Sequence, residues 1–127
     1  MDPQAPKARQ QVGRWLLNLP REPVSLYPIV ALDYLQIDFR RFVRTFHYAM
    51  NDKIEEKLPL IQVPTLVVCG SRDTVVPYRW TKEVAQLLPQ SRHVVIQGAA
   101  HDVNYNSPEK LADEVRKFML CPDNFPT

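Results

Sequence analysis

Two residues with complementary chemistry, Asp73 and His101, each follow a short apolar segment of the sequence. The acid comes just after residues 65–69 and Gly70, and the histidine comes just after residues 94–96 and Gly98. A carboxylate that accepts one ring N–H of a histidine fixes its tautomer and stabilises its cation, so that the other ring nitrogen can accept a proton. Asp73 and His101 are therefore candidates for the acid and the base of a nucleophile–histidine–acid triad.

The elements that must position this pair are two strands and one helix. Short Val- and Leu-rich runs separated by an amphipathic segment are typical of a parallel β-α-β unit. In open α/β sheets, sites form at the carboxyl ends of the strands, so both side chains are expected at the same edge. Pro77 suits the start of the crossover helix and Pro89 its end. The helix face predicted to pack on the sheet contains Trp80, Val84, Leu87 and Leu88.

Residues 58–120 resemble the C-terminal part of an α/β hydrolase. Residues 58–68 (LPLIQVPTLVV) are similar to the entry into that family's seventh strand, residues 70–77 (GSRDTVVP) to its acid loop, and residues 98–101 (GAAH) to its histidine loop. Residues 107–119 are similar to its last helix, with Ser107 as a cap and Pro108 at the first helical position. The resemblance implies an α/β fold: the C-terminal part of an α/β hydrolase, with a helical cap, a parallel β-α-β unit and a C-terminal helix. It also implies that Asp73 is the triad acid and His101 the triad histidine.

The nucleophile of that family is missing from this sequence. It normally lies in a Gly-x-Ser-x-Gly turn upstream of the acid, and this chain has only three glycines, at positions 13, 70 and 98. Four serines could in principle replace it, and each is better explained by a loop, a strand approach or a helix cap: Ser25, Ser71, Ser91 and Ser107. The oxyanion motif and the first six strands of the family are absent as well.

The resemblance divides the chain into a helical, cap-like segment at 1–58, a core part at 59–121 and a tail at 122–127. Periodicity predicts a loose opening arm through Lys7, a helix at 8–19 and a longer helical pattern from Pro28, with one break near Asn51–Asp52. Three aromatic residues of this pattern are interpreted as core, although they could also line a substrate pocket: Phe39, Phe42 and Phe46.

Other readings of single residues remain open. On spacing alone, Asp73 is equally explained as a loop acid near a helix N-terminus. His93 is expected to precede the second strand without a role, and His47 to lie on the surface. A metal site formed by His93, His101 and Asp102 is not expected, because their spacing is not that of a ligand pair on a helix and no cysteine joins them.

Composition excludes several classes of partner and cofactor. The net charge is +2 and there is no basic cluster with interleaved aromatics, so a nucleic-acid partner is not expected. The cluster Arg40, Arg41 and Arg44 is interpreted as the solvated face of a helix. Cys69 is expected to be a structural thiol and Cys121 to lie just past the last helix, although a disulfide or a reactive thiol is possible. The sequence shows no apolar run long enough to span a membrane, no leader sequence and no cofactor motif. We therefore expect a cytoplasmic protein that neither binds a membrane nor uses a cofactor.

Two hypotheses for function follow. In the first, the chain supplies the cap, the acid and the histidine of a hydrolase that cleaves an ester, a lactone or a carbon–carbon bond of a small molecule, and the nucleophile comes from elsewhere. In the second, it is an inactive relative that serves as a binding or interaction module. In either case the first strand has an unpaired edge beside apolar side chains, which predicts self-association or a partner chain that supplies the missing strands.

Overall fold

The computed structural model describes residues 8–120, and their side chains from Gln10 onward. The predicted opening arm, Cys121 and the tail at 122–127 lie outside the described residues. The elements are α1 (Ala8–Asn18), a 3₁₀ turn (Leu19–Arg21), α2 (Leu26–Gln36), α3 (Phe39–Asn51), α4 (Ile54–Lys57), a second 3₁₀ turn (Leu58–Leu60), β1 (Thr65–Gly70), α5 (Tyr78–Leu87), β2 (Ser91–Ile96), α6 (Val103–Asn106) and α7 (Pro108–Leu120).

The two strands pair in parallel, and α5 makes the crossover between them. The register runs from Thr65 opposite Ser91 to Gly70 opposite Ile96, so both strands end at the same edge. The predicted β-α-β unit is confirmed. Ser91 and His93, however, lie within β2 and not before it. Pairing with β1 from Thr65 onward extends the second strand over residues whose own sequence is too polar to indicate it.

Helix α5 packs against this sheet through a face that the sequence identified in part. It begins after Pro77 and ends at Leu87, close to the predicted bounds. Trp80 and Leu88 are buried as expected, whereas Val84 and Leu87 are only half-buried. The buried face also contains Thr81 and Ala85, which a hydrophobic pattern does not reveal.

The helical segment before the sheet has one more break than the sequence indicated. Helix α2 begins at Leu26, two residues before Pro28, and ends at Gln36. Asp38 then takes an extended conformation, and its side chain accepts a hydrogen bond from the backbone amide of Arg40 at 3.0 Å. Asp38 is thus the N-cap of α3, which satisfies an otherwise unpaired helical N–H. The predicted break near Asn51–Asp52 is present as well.

The aromatic stripe on α3 is not a core, contrary to the first interpretation. Phe39 is 76% exposed and Phe42 39% exposed, while Phe46 is half-buried. The large apolar side chains of α2 are open in the same way, with Leu35 83% exposed. Within the described residues these faces stay largely open to solvent, although Tyr34 makes edge contacts with Trp15 and with Phe42.

Helix α7 shows the same openness, because Val115 is 42% and Met119 71% exposed. Asp113 and Lys117, one turn apart on this helix, do not pair with each other. Asp113 pairs with Arg116 and Lys117 pairs with Glu114, three residues away in each case. These are exposed pairs, which contribute little to stability.

Among residues 8–120, no helix has the length and apolar content needed to cross a bilayer.

Candidate active site

The carboxylate of Asp73 is held by the turn that follows β1. Its Oδ1 accepts hydrogen bonds from the backbone amides of Val75 at 2.8 Å and Val76 at 3.0 Å. Only 5% of the side chain is exposed. These two bonds fix the orientation of the carboxylate.

The other oxygen of Asp73 meets His101. Asp73 Oδ2 lies 2.9 Å from His101 Nδ1, across 28 residues of sequence. The imidazole is 36% exposed, and no described residue forms a hydrogen bond with its Nε2. The structure therefore brings together the two residues that the sequence placed at one sheet edge. With the carboxylate on one ring nitrogen, the other is oriented as a proton acceptor.

The acid and histidine loops are joined directly to each other. The backbone amide of Arg72 donates to Ala99 O at 2.9 Å, and that of Ser71 donates to Ile96 O at 3.1 Å. Ser71 Oγ in turn accepts from the Gly98 amide at 2.9 Å. These contacts set the distance between the two side chains, since the loops cannot separate without breaking them.

No serine in the described residues forms a hydrogen bond with His101. Ser71 Oγ is occupied by the Gly98 amide, and Ser25 Oγ accepts from the Tyr105 hydroxyl at 3.0 Å. Ser91 Oγ donates to the carbonyl of Ala85. The described part of the chain therefore contains the acid and the base but places no serine hydroxyl beside the base as a nucleophile.

The surroundings of His101 raise its pKa. The hydrogen bond to Asp73 raises the pKa of the imidazole, burial lowers it, and the charges of Asp73, Asp102 and Glu22 raise it further, so that the net shift is upward. Burial and the nearby Glu22 carboxylate raise the pKa of Asp102. The imidazolium is thus surrounded by acidic groups that stabilise its charge.

We expect His101 to titrate above the ordinary value of 6.5. Because the folded-state pKa is raised, its interaction with Asp73 stabilises the fold fully below the unfolded-state pKa, and this contribution is lost as the pH rises through the raised value. The chemical shift of the His101 ring proton, followed by NMR against pH, measures it. Asp73→Asn should bring the midpoint down, and a wild-type midpoint at or below the ordinary value would contradict the assignment.

One residue near the site, Glu22, was not identified from the sequence. It lies in the proline-rich connection between α1 and α2, yet only 8% of it is exposed. Its carboxylate accepts from the Asp102 backbone amide at 3.1 Å and from Asn106 Nδ2 at 2.9 Å. No local pattern indicates this contact, because its partners come 80 and 84 residues later.

His93 is half-buried in β2 and contacts β1 and α5 instead of the Asp73–His101 pair. Its Nε2 is 3.0 Å from Thr81 Oγ1 and 3.6 Å from Cys69 Sγ. Burial lowers the pKa of His93 and raises the pKa of the Cys69 thiol. Within residues 8–120 no group of three or more potential metal ligands was found. His93 is thus a packed strand residue and not the loop residue that the sequence suggested.

Two parallel strands are joined by a helix, and a carboxylate and an imidazole are in contact on the loops past the carboxyl ends of these strands. This arrangement defines an α/β protein of the hydrolase type.

Comparison with known proteins places the chain more narrowly. Residues 45–124, more than half of the chain, match the family model described as TAP-like protein. The chain is 28% identical over 112 residues to the AB hydrolase superfamily protein YisY of Bacillus subtilis, in a match that covers 88% of this chain and 37% of YisY. The chain belongs to the α/β-hydrolase family.

Solved structures show the same likeness. A thermophilic esterase from Thermogutta terrifontis superposes with a TM-score of 0.52 at 31% identity, over 54% of this chain and 25% of the esterase. The α/β hydrolase MGS-MChE2, from a sediment metagenome, superposes over 77% of this chain and 47% of its own with a TM-score of 0.64. At 24% identity the second likeness concerns the fold alone. The chain spans less than half the length of each of these relatives.

Proposed function

We propose that this chain supplies the acid and the base of a hydrolase that works by acyl transfer to water. The observation that carries the proposal is the 2.9 Å contact between Asp73 Oδ2 and His101 Nδ1, with the other carboxylate oxygen held by two backbone amides. The arrangement matches what a general base needs: a fixed tautomer, a partner for the developing cation and an accessible second nitrogen. The likeness to an esterase supports the reaction class.

In the proposed mechanism, His101 Nε2 accepts the proton of a serine hydroxyl as the oxygen attacks the substrate carbonyl. Asp73 stabilises the imidazolium that forms. His101 then protonates the leaving group, and a water molecule, deprotonated in the same way, releases the acyl group. The 127 residues contain no Gly-x-Ser-x-Gly turn, so the serine and the oxyanion donors come from outside this sequence.

We further propose that residues 1–58 act as a cap over this site. The part of this segment that is described touches the acid loop, because Gln11 Nε2 donates to Val75 O at 3.2 Å and Thr74 Oγ1 donates to Arg14 O at 3.2 Å. An apolar cavity of about 450 Å³ lies between the helices and this loop. It is lined by Gln11, Val12, Trp15, Tyr34, Phe42, Phe46 and Val75. Its size and lining favour a small substrate with an apolar acyl or alcohol group.

The open surfaces favour a partner that completes the core. Strand β1 has a neighbour on one side only, and β1 and β2 form the whole sheet of the described residues. A free edge beside exposed apolar helices is a site for strand addition. We propose that a segment or chain with the missing strands binds here, or that the chain self-associates. The same surfaces would serve an inactive interaction module, which is the alternative function.

An ester assay separates these functions. The chain is incubated with an activated short-chain ester, alone and together with an N-terminal α/β-hydrolase core that carries a nucleophile turn. We expect no turnover by the chain alone, turnover by the combination, and loss of that turnover in His101→Ala. Absence of turnover in both arms would favour the interaction module. Turnover by the chain alone that disappears in His101→Ala would mean that a nucleophile lies within this sequence.

A further inference from the structure

A buried carboxylate joins the helical segment to the histidine loop. Glu22 Oε1 accepts from Asn18 Nδ2 at 2.7 Å and from the Asp102 backbone amide at 3.1 Å, and Oε2 accepts from Asn106 Nδ2 at 2.9 Å. Burying a charged group is costly unless hydrogen bonds replace its water. Three donors meet that need here. The carboxylate is therefore held in one orientation by specific hydrogen bonds.

The position of these donors ties Glu22 to His101. Asp102 is the next residue in the chain, so a hydrogen bond to its amide restrains the peptide that leaves His101. Asn106 ends α6, the short helix that follows, and so fixes the far end of the same loop. Asp73 thus holds the His101 ring from one side, while Glu22 holds the main chain that carries it.

The charge of Glu22 also bears on the imidazole. Burial raises the pKa of Glu22, but hydrogen bonds from Asn106, Asp102, Asn18 and the His101 main chain outweigh it, and the net pKa is lowered. The group is therefore ionised at neutral pH. The acidic groups that raise the pKa of His101 are Asp73, Asp102 and Glu22.

We propose that Glu22 is a positioning residue for His101, which fixes the backbone of the histidine loop and so the direction in which the imidazole faces the substrate. The role rests on the proposed hydrolytic function, since it concerns the geometry of the base in that reaction. Glu22 itself touches neither the Asp73–His101 hydrogen bond nor the ring. It acts through the main chain of His101 and Asp102 and through the side chain of Asn106.

The neighbourhood of Glu22 allows charge and geometry to be separated. Asn106 Oδ1 is buried and has no hydrogen-bond partner, while its amide nitrogen donates to Glu22. In Glu22→Gln the new oxygen can keep the bonds from Asn18 and Asp102. A flip of the Asn106 amide then turns its free oxygen toward the new NH₂ group. Glu22→Gln removes the charge and keeps the network, whereas Glu22→Ala removes both.

Activity is measured in the combination of this chain with a nucleophile-bearing core. We expect Glu22→Ala to lower kcat roughly 100-fold with little change in KM, because displacing a catalytic group by about 1 Å has an effect of this order. Glu22→Gln should restore kcat to within about threefold of wild type, since the loop stays in place. The matched control is Tyr105→Phe, which breaks a second contact between the same two segments, the 3.0 Å bond to Ser25, without touching Glu22.

The proposal would be overturned if kcat per folded molecule were the same in Glu22→Ala as in wild type. It would also be overturned if Tyr105→Phe lost as much kcat as Glu22→Ala, since any contact that attaches the helical segment to the histidine loop would then explain the effect.

A second readout needs no turnover. By NMR of the chain itself, we expect the His101 pKa to fall in both Glu22 variants and the Asp102 amide to shift strongly in Glu22→Ala. If wild type shows no turnover, the hydrolase proposal fails, and this spectrum alone decides the role of Glu22. If Glu22→Ala does not fold, Asn106→Ala decides the role of Glu22, because this variant removes one of the donors through which Glu22 holds the loop. A kcat and a His101 ring spectrum equal to those of wild type in Asn106→Ala would overturn the proposal.

Discussion

Asp73→Asn is expected to reduce kcat by about 10³- to 10⁴-fold in the complemented enzyme, because the amide no longer holds His101 in the base tautomer. The side-chain amide of this variant can keep its oxygen on the Val75 and Val76 backbone amides, which places its NH₂ group toward His101 Nδ1. The ring must then accept at Nδ1 and carry its proton on Nε2, so the nitrogen that faces the substrate cannot take a proton. KM should change little, since Asp73 acts on His101 and does not itself bind the substrate.

The measurement is initial-rate kinetics at a pH above the raised His101 pKa, where the imidazole of the wild type is neutral and competent as a base. The activity of the wild type should fall as the pH drops through that pKa. A useful control is Asp113→Asn, which removes an exposed carboxylate on α7 that pairs with Arg116. Asp73→Asn activity within about tenfold of wild type would contradict the role of Asp73 as the orienting acid.

Gly70→Ala is expected to destabilise the fold by about 3 kcal/mol or more and to separate the two loops of the site, because an added side chain meets packed backbone. A Cβ at Gly70 would lie 2.3 Å from Ala100 O and 2.4 Å from Ala99 O. Neither contact can be relieved by a side-chain rotation. The histidine loop must therefore move away from the end of β1, taking His101 with it.

The matched control for this substitution is Gly13→Ala in α1. Nothing lies within 4 Å of a Cβ added there, and alanine is a better helix former than glycine. Urea unfolding of the chain should give an increase of up to about 1 kcal/mol for Gly13→Ala and a large decrease for Gly70→Ala. Equal stability of Gly70→Ala and wild type would mean that the two loops are not in close contact in solution.

The sequence correctly predicted that Asp73 and His101 lie close together. Asp73 and His101 each follow directly from a strand, and parallel strands end at one edge, so their proximity depends on topology alone. The same reasoning missed Ser91 and His93 as strand residues, since pairing with β1 and not their own propensity draws them into β2. It also missed the break at Asp38, where a single capping side chain divides a continuous apolar pattern.

Burial was harder to predict, for a physical reason. Hydrophobic periodicity shows which face of a helix is apolar, but not whether a neighbour covers it. Phe39 and Met119 lie on apolar faces, yet remain largely exposed in the described part of the chain. Glu22 shows the converse, since a charged residue in a proline-rich connection is buried by donors that no local pattern reveals.

The bonds of Glu22 to residues 102 and 106 also have a consequence for synthesis on the ribosome. Contacts that close loops of 80 residues form late, because the entropy of closing the loop must be overcome before they stabilise anything. The α1–α2 connection therefore emerges long before α6, and until then Glu22 lacks two of the three donors that hold it in the fold. The histidine loop acquires its final shape only after both the α1–α2 connection and α6 have been synthesised and can meet.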